Sequence, residues 1–239
     1  METEREYTTP RIIPFSFNEK IIHRFLFKGF SLKDMSFFNG KIGIAISLFH
    51  YGKHTQNDIY IDFANDLIDG YLANVDKRIG FSFASGLSGI GWAIEYLIQH
   101  KLVEGISHEA CKDIDDFIMS VNIRRMTNLS LEEGLEGILH YILARIKGNK
   151  NQNSPFPFDE LFMQDVQNKL LAIEASQIPS MLNSLINDFQ NDCSLYKLDI
   201  IPFINKEIII EESDIAQANL GLNKGLAGRL LYSTIEDRK

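Results

Sequence analysis

The sequence predicts an all-α chain built from helix pairs that repeat about every 46 residues, and three observations carry that prediction. A Gly-x-x-Gly pattern followed by an apolar stretch recurs at Gly40/Gly43, Gly86/Gly89, Gly134/Gly137 and Gly225/Gly228, with intervals of 46, 48 and 91 residues between the first glycines. The stretches after these glycines, 90–98 and 138–146 above all, are apolar nearly all round, as helices covered on several sides must be. The segments between them carry apolar residues every three or four positions, as in Ile61, Ala64, Leu67, Ile68 and Leu72, the mark of one buried and one wet face. A unit is thus a half-wet outer helix and a dry inner one, and units of this length stack into solenoids or close into rings.

The elements follow in order. Inner helices are expected after Gly43, Gly89, Gly137 and Gly228, with outer helices over 58–74 and 107–120. The last glycine interval is close to two periods, so a degenerate copy without glycines is expected near 180–185. Pro155, Pro157 and Pro179 mark breaks, which leaves 158–175 and 179–192 as two further helices. The stretch 198–210, with β-branched runs around Pro202, is the least helical and reads as a loop or short hairpin. One glycine of each pair is expected to take a left-handed or tight-turn conformation at the helix start, and the other to admit a close neighbour.

Length and composition bound the rest. At roughly 150 residues per domain, 239 residues allow one domain or two. Helix pairs that cannot bury themselves alone share a core, so residues 1–239 read as a single repeat domain. With 45% apolar and 23% charged residues a sizeable core is available, and disorder, collagen and coiled coil are excluded. The net charge of −8, with no basic run longer than Arg124-Arg125, argues against nucleic acid and against an anionic membrane surface. The N-terminus is polar and acidic and no apolar run is long enough to span a bilayer, so a cytoplasmic location is expected. Cys111 and Cys193 lack C-x-x-C partners and read as reduced core thiols.

The recurring motif, with Gly86-Leu87-Ser88-Gly89-Ile90-Gly91-Trp92 and Asn223-Lys224-Gly225-Leu226-Ala227-Gly228, resembles the lanthionine synthetase C-like family over residues 37–232. The resemblance implies an α/α toroid whose inner helices surround a cavity. There a zinc ion activates a peptide cysteine for addition to a dehydrated serine or threonine. It also implies a last ligand motif of the form Cys-His-Gly-x-x-Gly; here Asn223 stands in the cysteine place and Lys224 in the histidine place. An ammonium cannot ligate a cation, and an amide replaces a thiolate poorly. The family's Trp-Cys-x-Gly motif has no counterpart, so no zinc or other cofactor is expected. The family stacks about seven helix pairs, whereas this length allows about five, giving a truncated or open α/α toroid. Open ends would expose apolar helix surface to a partner or to a second copy in a homodimer.

On this reading the residues before each motif, Asn39, Ser85, Glu133 and Lys224, line one cavity rim together with Asn223 and His140. They form a polar set suited to hydrogen bonding, with a Glu133–Lys224 ion pair in place of the lost metal. The plainer reading makes Asn39 and Ser85 ordinary helix caps, and Glu132 and Glu133 complements of the helix dipole. Glu136 and His140 are four apart on the third inner helix. His50 and His54 share that spacing, with Gly52 between them in a turn-like context that weakens a metal pair. Glu95 with Glu133 or Glu136 could supply the paired carboxylates of sugar chemistry, though no spacing singles them out. The function expected is that of a zinc-less, non-catalytic accessory that binds a peptide, or a peptide-modifying enzyme, during maturation of a modified ribosomal peptide. A metal-independent enzyme using the polar rim is the alternative.

Overall fold

A computed structural model describes residues 16–69, 77–174, 178–191, 195–206 and 209–236. Nine α-helices and no strand occur among the described residues. They are α1 (Phe17–Lys28), α2 (Lys41–Thr55), α3 (Asp58–Ile68), α4 (Leu87–Gln99), α5 (Ser107–Met119), α6 (Leu135–Gln152), α7 (Glu160–Leu171), α8 (Ser180–Gln190) and α9 (Leu226–Glu236).

The glycine motif explains how α2, α4, α6 and α9 begin. Each of these helices donates its first amide to a carbonyl seven residues back: Lys41 to Asp34, Leu87 to Gly80, Leu135 to Asn128 and Leu226 to Asn219, at 2.8–3.0 Å. The loop therefore folds back onto the helix start, and both glycines are where it presses. A Cβ on Gly40, Gly86, Gly134 or Gly225 would collide with the backbone of the preceding turn, and one on Gly43, Gly89, Gly137 or Gly228 with the carbonyl six residues earlier. The first glycine is the N-cap in α2, α4 and α6, with φ of −105°, −118° and −133°. Of the left-handed or tight-turn conformation expected, only the left-handed alternative is excluded: the glycine is needed for space in the fold-back, not for its φ. It also moves Asn39 and Ser85 out of the capping position by one residue.

The same loops join one repeat to the next. The Phe38 amide donates to the Ala84 carbonyl (3.1 Å), those of Phe83 and Ala84 to Glu132 (2.9 and 3.1 Å), that of Leu222 to Phe38 (2.6 Å) and that of Asn205 to Asn223 (3.1 Å). Side chains follow the same order: Leu222 sits over Gly43, Phe37 over Gly89, Phe83 over Gly137 and Ile204 over Gly228. Packing gives the sequence α9, α2, α4, α6, α8, with α3 against α2, α5 against α4 and α1 against α9. The last repeat thus packs on the first. The glycine-free helix expected near 180–185 is α8, which packs on α6 as a fourth unit would.

Several expected boundaries shift. The outer helix of the first pair ends at Ile68, with residues 70–76 outside the described set, and the two later helices shorten to α7 and α8. Gly52 is buried inside α2, which runs on to Thr55, so the expected turn there is absent. The described part of 198–210 contains a 3-10 turn at Ile201–Phe203 and no hairpin. α1 precedes the repeat and does not follow from it; Ser16 and Glu19 start it with a reciprocal capping box.

A buried ionic cluster ties α4, α5 and α6 together. The Arg145 guanidinium donates to Asp115 through Nε (2.9 Å) and Nη2 (2.6 Å) and to Glu95 through Nη1, while the Tyr141 hydroxyl donates to Asp115 at 2.5 Å. Glu95 and Arg145 are fully buried and Asp115 nearly so. Gly148 leaves the space that the Glu95 carboxylate occupies. This corrects the pairing of Glu95 with Glu133 or Glu136, since its carboxylate is already held by a cation at the opposite end of α4 from the motif. Cys111 is buried beside the cluster, and its thiol is pushed well above the usual range by desolvation. Cys193 lies outside the described residues.

Candidate functional site

The motif loops place Asn39, Ser85, Glu133 and Lys224 along one end of the helix array, all four exposed, with Asn223 half-buried beside them. They do not converge. Among the described residues no ion pair joins Glu133 to Lys224, because α2 and α4 stand between α6 and α9. Ser85 pairs with Ser82 (2.9 Å between hydroxyls), and the Asn223 amide donates to the Phe203 carbonyl at 3.1 Å.

Behind this rim the expected cavity is filled by aromatic side chains. Phe203 lies 5.7 Å from Phe37, 5.0 Å from Phe83, 4.8 Å from Trp92 and 5.0 Å from His140, ring centre to ring centre. All five are buried, and each large ring removed from water contributes about 1.5–3 kcal/mol. Pro202 and the short turn deliver Phe203 to this position. Polar atoms within the cluster are mostly matched: Trp92 Nε1 donates to the Tyr196 hydroxyl (2.8 Å), and that hydroxyl lies 3.0 Å from His140 Nδ1. Tyr196→Phe would strand the indole N–H. We expect a loss of about 1–3 kcal/mol in urea unfolding, with the helical circular dichroism unchanged.

His140 is the one site residue at the centre. Among the described residues its buried Nε2 meets no hydrogen-bond partner, and desolvation pushes its pKa down to about 3, so the ring is neutral at physiological pH. Glu136, one turn earlier, is buried, and its carboxyl is held above the ordinary range by desolvation and by Glu132. His50 is engaged elsewhere: its Nε2 lies 2.8 Å from the Tyr96 hydroxyl. That contact ties α2 to α4 and takes His50 out of the proposed pair with His54.

Among the described residues a space of about 260 Å³ opens beside α9 at the motif end, lined in part by Asn205, Lys206, Asn223, Arg229, Tyr232 and Glu236. Of these residues only Asn223 was singled out from the sequence. A signal was present, since Asn205-Lys206 repeats Asn223-Lys224, and Ile204 seats on Gly228 as Leu222 does on Gly43.

A family model described as lanthionine synthetase C-like protein matches residues 31–198, more than two thirds of the chain. The chain belongs to the lanthionine synthetase C-like family. No curated protein and no solved structure matches it. The match covers the first three glycine motifs and stops before the fourth, which carries Asn223 and Lys224.

The donor set does not suit the zinc that the lanthionine synthetase C-like resemblance implies. Asn223 spends its amide on a backbone carbonyl, Lys224 offers an ammonium, and Cys111 is a protonated core thiol. Among the described residues no group of three His, Cys, Asp or Glu side chains is placed to hold a metal. No helix of the described residues is long and apolar enough to cross a membrane.

Proposed function

We propose that this lanthionine synthetase C-like chain is a non-catalytic accessory that binds a peptide during maturation of a modified ribosomal peptide. The observation that carries this reading is the substitution of the ligand positions by Asn223 and Lys224 in front of a centre packed with Phe37, Phe83, Trp92 and Phe203. With the interior occupied by side chains, recognition falls to the polar rim, where Asn39, Ser85, Glu133, Asn223 and Lys224 offer donors and acceptors to an extended chain. On this reading residues 1–239 act as one repeat domain in the cytosol, with a precursor peptide or its modifying enzyme as partner.

Two measurements test it. Metal analysis of purified protein should find no stoichiometric zinc; tightly bound zinc at one per chain sinks the reading. A pull-down with candidate precursor peptides should recover one of them, and Glu133→Gln with Lys224→Gln should weaken that capture.

A second reading is supported by His140. A buried, neutral imidazole with a free nitrogen, one turn from a carboxyl of raised pKa, is the material of metal-independent acid–base chemistry. Retention of full activity after His140→Gln and Glu136→Gln, on any substrate found, removes it.

A further inference from the structure

The outer helices α1 and α3 meet on the outside of the array, α1 packed on α9 and α3 on α2. Phe30, just past the end of α1, sets its ring 5.3 Å from that of Phe63 on α3, and Leu67 of α3 sits over Gly29. Their shared surface shows water several large apolar side chains. Phe27 is 81% and Ile59 71% exposed, and Leu26 and Phe30 each show about half of their area. Exposed apolar residues scattered singly are ordinary, whereas a cluster rimmed by charge marks an interaction surface.

The charges around this cluster are sorted by sign. Arg24 and Lys28 stand one turn apart on α1, and Asp58, Asp62 and Asp66 recur every fourth residue on α3, which holds no Lys or Arg between them. Like charges at that spacing repel. Lys28 and the three aspartates are exposed, Arg24 is half-buried, and none of the five forms an ion pair among the described residues. Two residues along a helix is a rotation of about 200°, so Arg24 and Lys28 stand on the side of α1 opposite to Leu26. Leu26 is on the side where Gly29 and Phe30 adjoin α3. Across the surface run a basic edge on α1, an apolar strip and an acidic edge on α3.

Such a surface matches itself when turned through half a circle: base meets acid at both edges, and apolar side chains meet in the middle. An anionic lipid surface would attract one edge and be repelled by the other. A second copy brings both charges in the right order by symmetry alone. We infer that this surface is the interface of a two-fold homodimer, in which α1 of each copy lies against α3 of the other, Arg24 and Lys28 facing Asp62 and Asp66 of the partner subunit. The inference is independent of what the rim binds, because the motif loops occupy one end of the array and α1 and α3 its outside.

Analytical ultracentrifugation of the full chain over a concentration series tests it. The parent should sediment at twice its 27.3 kDa, with a dissociation constant of about 10 μM or tighter, and added salt should weaken the pairing. Arg24→Glu with Lys28→Glu sets acid against acid, and Asp62→Lys with Asp66→Lys sets base against base, so each variant alone should pair at least about tenfold more weakly. Mixed in equal amounts, the two variants should pair with each other, since both edges then match again. Phe27→Asp, at a position outside the core, should also weaken pairing about tenfold with its melting temperature unchanged. A parent that stays monomeric, a dimer that survives both reversals, or variants that keep their helical circular dichroism and yet fail to pair when mixed overturns the interface. Phosphatidylserine vesicles that hold a monomeric parent and release Phe27→Asp would likewise overturn it and give the strip to a lipid surface.

Discussion

Replacing Arg145 by alanine should cost about 3–5 kcal/mol at neutral pH, because it leaves two buried carboxylates facing each other without their cation. The pH dependence gives the result its signature. Burial already holds the Glu95 and Asp115 carboxyls above their ordinary range, against the pull of Arg145. A carboxyl whose pKa is higher folded than unfolded lends stability below its unfolded value, near pH 4, and that contribution is lost as pH rises through the folded value. Removing the guanidinium raises both carboxyls further. The difference between Arg145→Ala and the parent should therefore be small near pH 4 and grow toward pH 8, as followed by urea unfolding at each pH. A loss below about 1 kcal/mol, or one that does not change with pH, would mean the three groups are not coupled.

Gly137→Ala should destabilise by about 2–3 kcal/mol, because the added methyl meets both the Leu131 carbonyl and the Phe83 Cβ at less than contact distance. Neither obstacle can swing aside, since one is the helix's own preceding loop and the other is the root of a ring wedged in the aromatic centre. Gly52→Ala is the control. It is also buried and helical, but its one obstacle under 3.0 Å is a side-chain carbon of Ile61, with the Asn57 carbonyl and the Ile61 nitrogen farther off at 3.2 Å, and alanine gains about 1 kcal/mol of helix propensity over glycine. It should lose clearly less than Gly137→Ala. Thermal unfolding of the two variants side by side separates the motif's steric demand from the general effect of filling a glycine.

How much of this was legible beforehand depends on the range of the signal. The four glycine motifs, the dry helices behind them and the family were readable because each is written within about ten consecutive residues. α1 is also written locally, in Ser16-Phe17-Asn18-Glu19 ahead of Ile21, Ile22 and Phe25, but it stands outside the repeat and so carries none of the glycine signal. The Glu95–Arg145–Asp115 cluster could not be read, since its members sit on three helices at unrelated spacings and look like solvated charges one at a time. The filled centre was hidden for a similar reason. Phe203 comes from the least helical stretch of the chain, and only the packed structure shows that a loop residue takes the place of an open interior. Of the rim residues, position along one end followed from the repeat, whereas their mutual distances depended on which helices stand between them.

The seat of Leu222 over Gly43 has a consequence for the order in which the chain can be completed. The two residues are 179 positions apart, so the repeat that begins at Gly40 lacks its neighbour until that many further residues have been made. At roughly 5–20 residues per second that interval is about 10–35 s, long compared with helix formation. During it α2 shows water the apolar face that α9 later covers. The packing of α9 on α2 therefore leaves the earlier-made of the two repeats in need of protection, and chaperone dependence during synthesis should be set by how soon Leu222 arrives.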